Sequence, residues 1–155
     1  MKQLNVIIVY HPDGERVLMC QRRKPPYQGL YNLVGGKAEP GEDGLAAAYR
    51  ELQEETGITG QEIVLTRLMD FRYHYCDIEL QVYAGALKRE VVLREELNPL
   101  CWMPLTENFF DSARFAGDGN IGHMLEIVRH DMPQLMTAEA HIAPAQKGEA
   151  SCDTK

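Results

Sequence analysis

Glu51, Glu54 and Glu55 stand at i, i+3 and i+4, with Glu42 upstream of them. On a helix these three carboxylates share an arc of roughly 100° on one face. Like charges at that spacing repel one another and destabilise an isolated helix. A folded protein keeps such a cluster either as a solvated acidic face or because something strongly positive sits against it. Hard carboxylate oxygens on a rigid element suit Mg²⁺ or Mn²⁺, which take a few carboxylates together with substrate phosphates and water. The three carboxylates by themselves leave both readings open, an exposed acidic face and a divalent-metal site that holds a phosphorylated molecule.

The element that must carry these residues is a helix. Asp43 is its expected N-cap, Glu42 and Asp43 favour the positive end of its dipole, and Gly57 suits the left-handed position after its end. The intervening LAAAYRELQEE is rich in helix formers. Ala48, Leu52, Leu45 and Tyr49 fall on an apolar stripe beside the acidic one. Gly44 and Ala47 complete the acidic side, where small residues would leave room for a bulky anion and its metals. Upstream, Gly35 and Gly36 permit close approach of the backbone to a ligand.

Gly36, five residues, Glu42, seven residues, then Arg50-Glu51-Leu52-x-Glu54-Glu55-x-Gly57-Ile58 resembles the Nudix box at every specified position. The resemblance extends more weakly over roughly residues 4–131. It implies an α/β (α+β) fold, an α/β/α sandwich with a mixed sheet and the box helix packed on it. It also implies cleavage of a nucleoside diphosphate linked to another moiety, with Mg²⁺ or Mn²⁺ as cofactor. Glu51, Glu54 and Glu55 are then the expected metal ligands, and the Gly36 carbonyl is a backbone ligand carried over from the family. A further carboxylate from a later loop is common in relatives. Glu96, with Glu95 beside it, fills that place, or belongs to a solvated charge run. Glu54 and Glu51 are the candidates for the general base. Arg50 either orients a carboxylate, with Glu42 as partner, or touches phosphate directly. Lys37 either reaches a phosphate or stays solvated.

Two stretches resemble the MutT-type oxidised-purine nucleoside triphosphatases. They are Tyr31-Asn32-Leu33-Val34-Gly35-Gly36-Lys37, and Glu96-Leu97-Asn98-Pro99 leading into Cys101-Trp102-Met103-Pro104-Leu105. By that resemblance the Asn32 amide reads a purine edge, Phe115 stacks on the base and Asp118 hydrogen-bonds it. The alternatives are a turn role for Asn32 and a core role for Phe115; Trp102, in an apolar strand, is expected in the core. Phe115-Ala116-Gly117-Asp118-Gly119 lacks the paired acids and the tryptophan of the closest group. The expected reaction converts a nucleoside triphosphate, including an oxidised purine such as 8-oxo-dGTP, into monophosphate and pyrophosphate. A dinucleotide, nucleotide sugar or pterin triphosphate is the alternative within the class. A catalytically silent nucleotide-binding module is the alternative outside it, and the intact glutamates count against that.

The remaining sequence sets bounds. A chain of 155 residues suggests one domain, placed at residues 1–136, with an Ala/Pro/Gly-rich tail at 137–155 expected to be mobile and non-catalytic. The net charge of −7 argues against a nucleic-acid polymer as partner, while a small nucleotide remains acceptable if metals neutralise it locally. No run reaches the roughly 18 apolar residues of a membrane span, and no leader is expected. Cys20, Cys76, Cys101 and Cys152 lack metal-site spacing. The first three are expected as buried thiols, which suits a reducing cytoplasm. Monomer and homodimer stay open. Strands are expected at Leu4–Tyr10, Val17–Arg22 and Leu100–Pro104, with a short apolar run at Leu30–Val34 and a long antiparallel pair at Glu62–Phe71 and Tyr73–Leu87. A charged loop spans Glu90–Pro99, a helical turn Thr106–Phe110, and a last helix Asn120–His130 with Ile121, Met124, Leu125 and Val128 on one face.

Overall fold

Strand β1 (Lys2–Tyr10) forms the middle of the molecule because its residues are apolar on both sides: Ile7 and Val9 point one way, Ile8 and Tyr10 the other, and all four are buried. The computed structural model describes residues 1–138. β2 (Arg16–Gln21) returns antiparallel to β1, and β3 (Tyr31–Asn32) pairs with the end of β2. Helix α1 (Gly44–Thr56) follows, then β4 (Thr66–Tyr73) and β5 (Ile78–Ala86) as an antiparallel pair, β6 (Leu100–Pro104) and helix α2 (Asn120–Asp131). The sheet runs β3-β2-β1-β5-β4, with β6 on β2. β1 and β5 are parallel, Lys2 opposite Ile78 through Tyr10 opposite Ala86, so the sheet is mixed.

Each face of the sheet carries one helix. Ile7, Val9, Leu18 and Cys20 pack with Ala48 and Leu52 of α1. Ile8, Val17, Met19 and Val82 pack with Ile121, Met124, Leu125 and Val128 of α2. The architecture is the expected α/β/α sandwich with the acidic helix on the sheet.

One departure from a plain sheet matters for the site. β1 and β2 pair only near Tyr10 and Val17. Toward the start of β1 the segment 31–37 enters between them. Tyr31 and Asn32 bond to β2, while Val34 and Lys37 bridge to Ile7 and Leu4 of β1. The glycine pair is thereby held beside Asn5.

Several expectations require correction. The long antiparallel pair turns later than foreseen, through a 3-10 turn at His74–Cys76 closed by Asp77 with φ 56°, and residues 62–65 precede the strand. Asp tolerates that left-handed backbone through local hydrogen bonding. Only Tyr31 and Asn32 of the 30–34 run form a strand. Residues 106–110 are turns without a helix, because the Asn108 side chain takes the Phe110 N–H that a helix would use. Cys76 is exposed on the 74–76 turn, and Cys101 only partly buried; Cys20 is buried. Cys152 and most of the 137–155 tail lie outside the described residues. Of the tail, Thr137 is exposed and Ala138 packs against the core cluster.

Candidate active site

Helix α1 has the ends expected of it. Asp43 Oδ2 accepts the Ala46 N–H at 3.1 Å, and Gly57, with φ 80°, donates its N–H to the Gln53 carbonyl at 2.9 Å. Its buried residues are Ala47, Ala48, Leu52 and Thr56, so the buried arc is rotated from the predicted stripe and Leu45 remains 40% exposed. Gly44 and Ala47 do not leave space for an anion. Ala47 is in the core, and a Cβ on Gly44 would collide with the Gln81 amide and the Tyr83 hydroxyl of β5. Their small size lets the helix N-terminus approach the sheet.

The rotation gives each glutamate a different setting. The Glu54 side chain is half exposed and faces outward, whereas that of Glu51 is 15% exposed. Glu51 lies directly against Gly36, where any Cβ would collide with its carboxylate. Glu55 turns inward and accepts the Gly35 N–H at 3.1 Å. Burial, with the nearby charges of Glu51 and Glu96, pushes the Glu55 carboxyl up to about 7, against the pull of that N–H.

Arg50 ties the acids together. Its Nε and Nη2 engage both oxygens of Glu42 at 2.9 and 3.0 Å, and Nη1 reaches Glu51 at 3.0 Å and Glu54 at 3.2 Å. Nη2 also donates to the Lys37 carbonyl at 3.0 Å. This arrangement occupies the guanidinium with carboxylates, and its hydrogen bonds hold the Glu42 carboxyl down at about 2.

The later loop comes to the same place. Glu96 joins Glu55, Cys20 and Asn98 around a small cavity of about 60 Å³. It also lines a cleft of about 630 Å³ with Arg50, Gln53, Glu54, Arg94 and Glu95. Glu95 Oε1 accepts the Leu100 N–H at 3.0 Å and so closes its own loop, while Glu96 faces both spaces. Arg94 was not foreseen. Its N–H donates to the Thr56 carbonyl at 2.9 Å, its stem crosses Gly57, and no carboxylate pairs with it among the described residues. No spacing rule reaches it, since its place depends on how the 88–99 loop lies across the helix end.

The proposed base-reading residues lie on adjoining segments, since Tyr31, next to Asn32, bridges to Phe115. Asn32 Oδ1 accepts the Leu33 N–H at 2.9 Å, and Asp118 is exposed, with φ 52° and its carboxylate accepting from the Tyr27 hydroxyl at 3.3 Å. Phe115 is 1% exposed and packs on Phe109 and Tyr31, so it is a core ring and offers no free face for stacking. Trp102 is partly buried, edge-on to His11. The Lys37 side chain is exposed.

The donor set fits a hard divalent cation. The carboxylates of Glu51 and Glu55 lie beside the glycine pair, and Glu96 adds negative charge there. Among the described residues no three His, Cys, Asp or Glu side chains form a ready cage. Glu51 and Glu55 would offer hard oxygen ligands of the kind that suit Mg²⁺ or Mn²⁺. No helix among the described residues is long and apolar enough to cross a membrane.

Comparison with known proteins bears on the family and the fold. The family model described as NUDIX domain matches residues 1–123. An RNA pyrophosphohydrolase of Caulobacter vibrioides is 42% identical over 60 residues, which cover 37% of this chain and 33% of the relative. The chain thus spans about a third of that relative's length. A MutT structure (Aliivibrio salmonicida and Vibrio cholerae) superposes with TM-score 0.64 at 18% identity, covering 83% of this chain and 97% of that one. An Ap4A hydrolase of C. elegans superposes with TM-score 0.65 at 19% identity, covering 81% and 93%. These structural likenesses concern the fold.

Proposed function

Because this chain belongs to the NUDIX domain family, we propose that it is a metal-dependent hydrolase of phosphoanhydride bonds in a nucleoside diphosphate linked to another moiety. The observation that carries this reading is the meeting of Glu51 with Gly36 and of Glu55 with Gly35, with Glu96 brought alongside from the later loop. Glu51, Glu54, Glu55, Glu96 and the Gly36 carbonyl would hold Mg²⁺ or Mn²⁺. When bound, such a cation neutralises phosphate charge and makes a coordinated water more acidic. Glu54, exposed on the cleft, or Glu51 takes the proton of the attacking water. Arg50 keeps Glu42, Glu51 and Glu54 in a fixed relation. Arg94 offers the cleft a guanidinium for the polyphosphate end of the substrate.

Within that class we favour a nucleoside triphosphate, cleaved to monophosphate and pyrophosphate. Asn32 and Asp118 are the residues available to hydrogen-bond a purine. A screen of nucleoside diphosphate derivatives with Mg²⁺, including oxidised purine triphosphates, tests both levels when products are identified. Free pyrophosphate from a triphosphate supports the substrate reading. Turnover of dinucleotides or nucleotide sugars alone overturns it, and no Mg²⁺-dependent turnover of any member overturns the class.

A further inference from the structure

Asn5 sits where the fold calls for an apolar residue. It belongs to the row of β1 that faces α1, whose next members Ile7 and Val9 pack with Ala48 and Leu52, and it is only 4% exposed. Asparagine is a poor strand former. Its Nδ2 is moreover buried without a hydrogen-bond partner, a cost that an apolar side chain would avoid.

What Asn5 does make is a two-ended hold on Gly36. Its backbone N–H donates to the Gly36 carbonyl at 2.8 Å, and its Oδ1 accepts the Gly36 N–H at 3.1 Å. The flanking bridges, Leu4 with Lys37 and Ile7 with Val34, set Asn5 opposite Gly36 in antiparallel register. In a regular ladder the second bond of this pair would run from the Gly36 N–H to the Asn5 main-chain carbonyl. Here the side chain takes it instead. The main-chain carbonyl of Asn5 lies against Gly35, whose φ of 148° and lack of Cβ are what that approach requires. Gly36 also meets the Glu51 carboxylate. The glycine pair is therefore fixed between Asn5 on the strand and Glu51 on the helix.

We propose that Asn5 is a positioning residue for the metal site, holding the glycine pair against Glu51 and Glu55 so that these carboxylates address one divalent cation. The inference rests on the metal-site reading above. The orphaned Nδ2 explains itself on this view: an amide is retained for its acceptor, and the unpaired donor comes with it.

The test compares the full-length protein with Asn5→Leu in three measurements: Mn²⁺ titration followed by the paramagnetic signal of the free ion, hydrogen exchange at the Gly36 amide without metal, and thermal unfolding. Asn5→Leu should unfold at or above the original temperature, exchange at Gly36 about tenfold faster or more, and bind Mn²⁺ about 10–100-fold more weakly, the range for loss of a group that orients a ligand. Unchanged Mn²⁺ affinity or unchanged Gly36 exchange overturns the proposal. So does an unfolding temperature that falls in step with affinity, which would make Asn5 a structural residue. Should leucine prove too large for folding, Asn5→Ala removes the acceptor without added volume and is judged by exchange and affinity in the same way. If the unsubstituted protein takes up no Mn²⁺, the metal-site reading itself fails, a result distinct from equal binding by both proteins.

Discussion

Glu51, Glu54 and Glu55 lie within about one helical turn of each other, and their surroundings differ: one against Gly36, one open to the cleft, one under the helix on the Gly35 N–H. Glu54→Gln keeps shape and removes charge, so kcat should fall at least about 10²-fold, the scale for losing a metal ligand or general base, with unfolding temperature nearly unchanged. Steady-state kinetics beside thermal unfolding check this; near-normal turnover would remove Glu54 from the mechanism. Glu42 makes a prediction of opposite kind. The hydrogen bonds it accepts from Arg50 and from the Glu39 N–H lower its carboxyl from the ordinary 4.5 to about 2. A group with a depressed folded value stabilises fully above its unfolded value and loses that contribution as pH falls through the folded one. The difference in unfolding temperature between the natural protein and Glu42→Gln should thus be largest near neutrality and shrink between about pH 4.5 and about pH 2. A constant difference across that window would mean that the pair is not coupled to protonation. The spacing of the acids was readable from the chain because all three share one helix. Asn5 and Arg94 were not, since each acts through a contact between segments far apart in sequence.

Helix α1 shows how an element can be foreseen while its rotation is not. Its caps, length and acidic residues follow from local chemistry, and Asp43 and Gly57 behave accordingly. Which arc becomes buried depends on β5, where Gln81 and Tyr83 form a buried hydrogen-bonded chain with Glu79. Gly44 fits against that chain. Gly44→Ala gains up to about 1 kcal/mol in helix propensity. It also forces a Cβ into Gln81 and Tyr83, an overpacking cost of about 1–3 kcal/mol. Net destabilisation is expected, visible as a lower denaturant midpoint with an unchanged slope; a stabilised variant would show that the chain yields easily. The β4–β5 hairpin was displaced in the sequence reading for a similar reason. Its strands alternate well, yet the turn position is set by the pairing of Tyr73 with Ile78 and by Asp77. The 106–110 turns reflect the Asn108 side chain competing for the Phe110 N–H.

At the scale of the molecule, a mixed sheet with one helix on each face brings four separate stretches to one place. β1 supplies Asn5, the inserted segment 31–37 supplies the glycines, and α1 supplies the acids, with the loop before β6 closing the ring through Glu96. The layers were legible through the resemblance of the acidic segment to the Nudix box, while strand alternation and helix patterning gave only the elements that fill them. The insertion of residues 31–37 between β1 and β2 was not, because two short bridges leave no periodic mark. Phe115 illustrates the same limit: its aromatic character is visible in the chain, and its use as core filler depends on Phe109 and Tyr31. The central claim is that helix and glycine pair together hold a divalent cation for a pyrophosphate. Crystals soaked with Mn²⁺ and a non-hydrolysable nucleoside triphosphate test it most directly, through the anomalous signal of the metal. The account predicts a peak within coordination distance of the Gly36 carbonyl and at least one of Glu51, Glu54 and Glu55, bridged to the phosphates. Nucleotide density without a metal there, or Mn²⁺ bound only elsewhere, would contradict it.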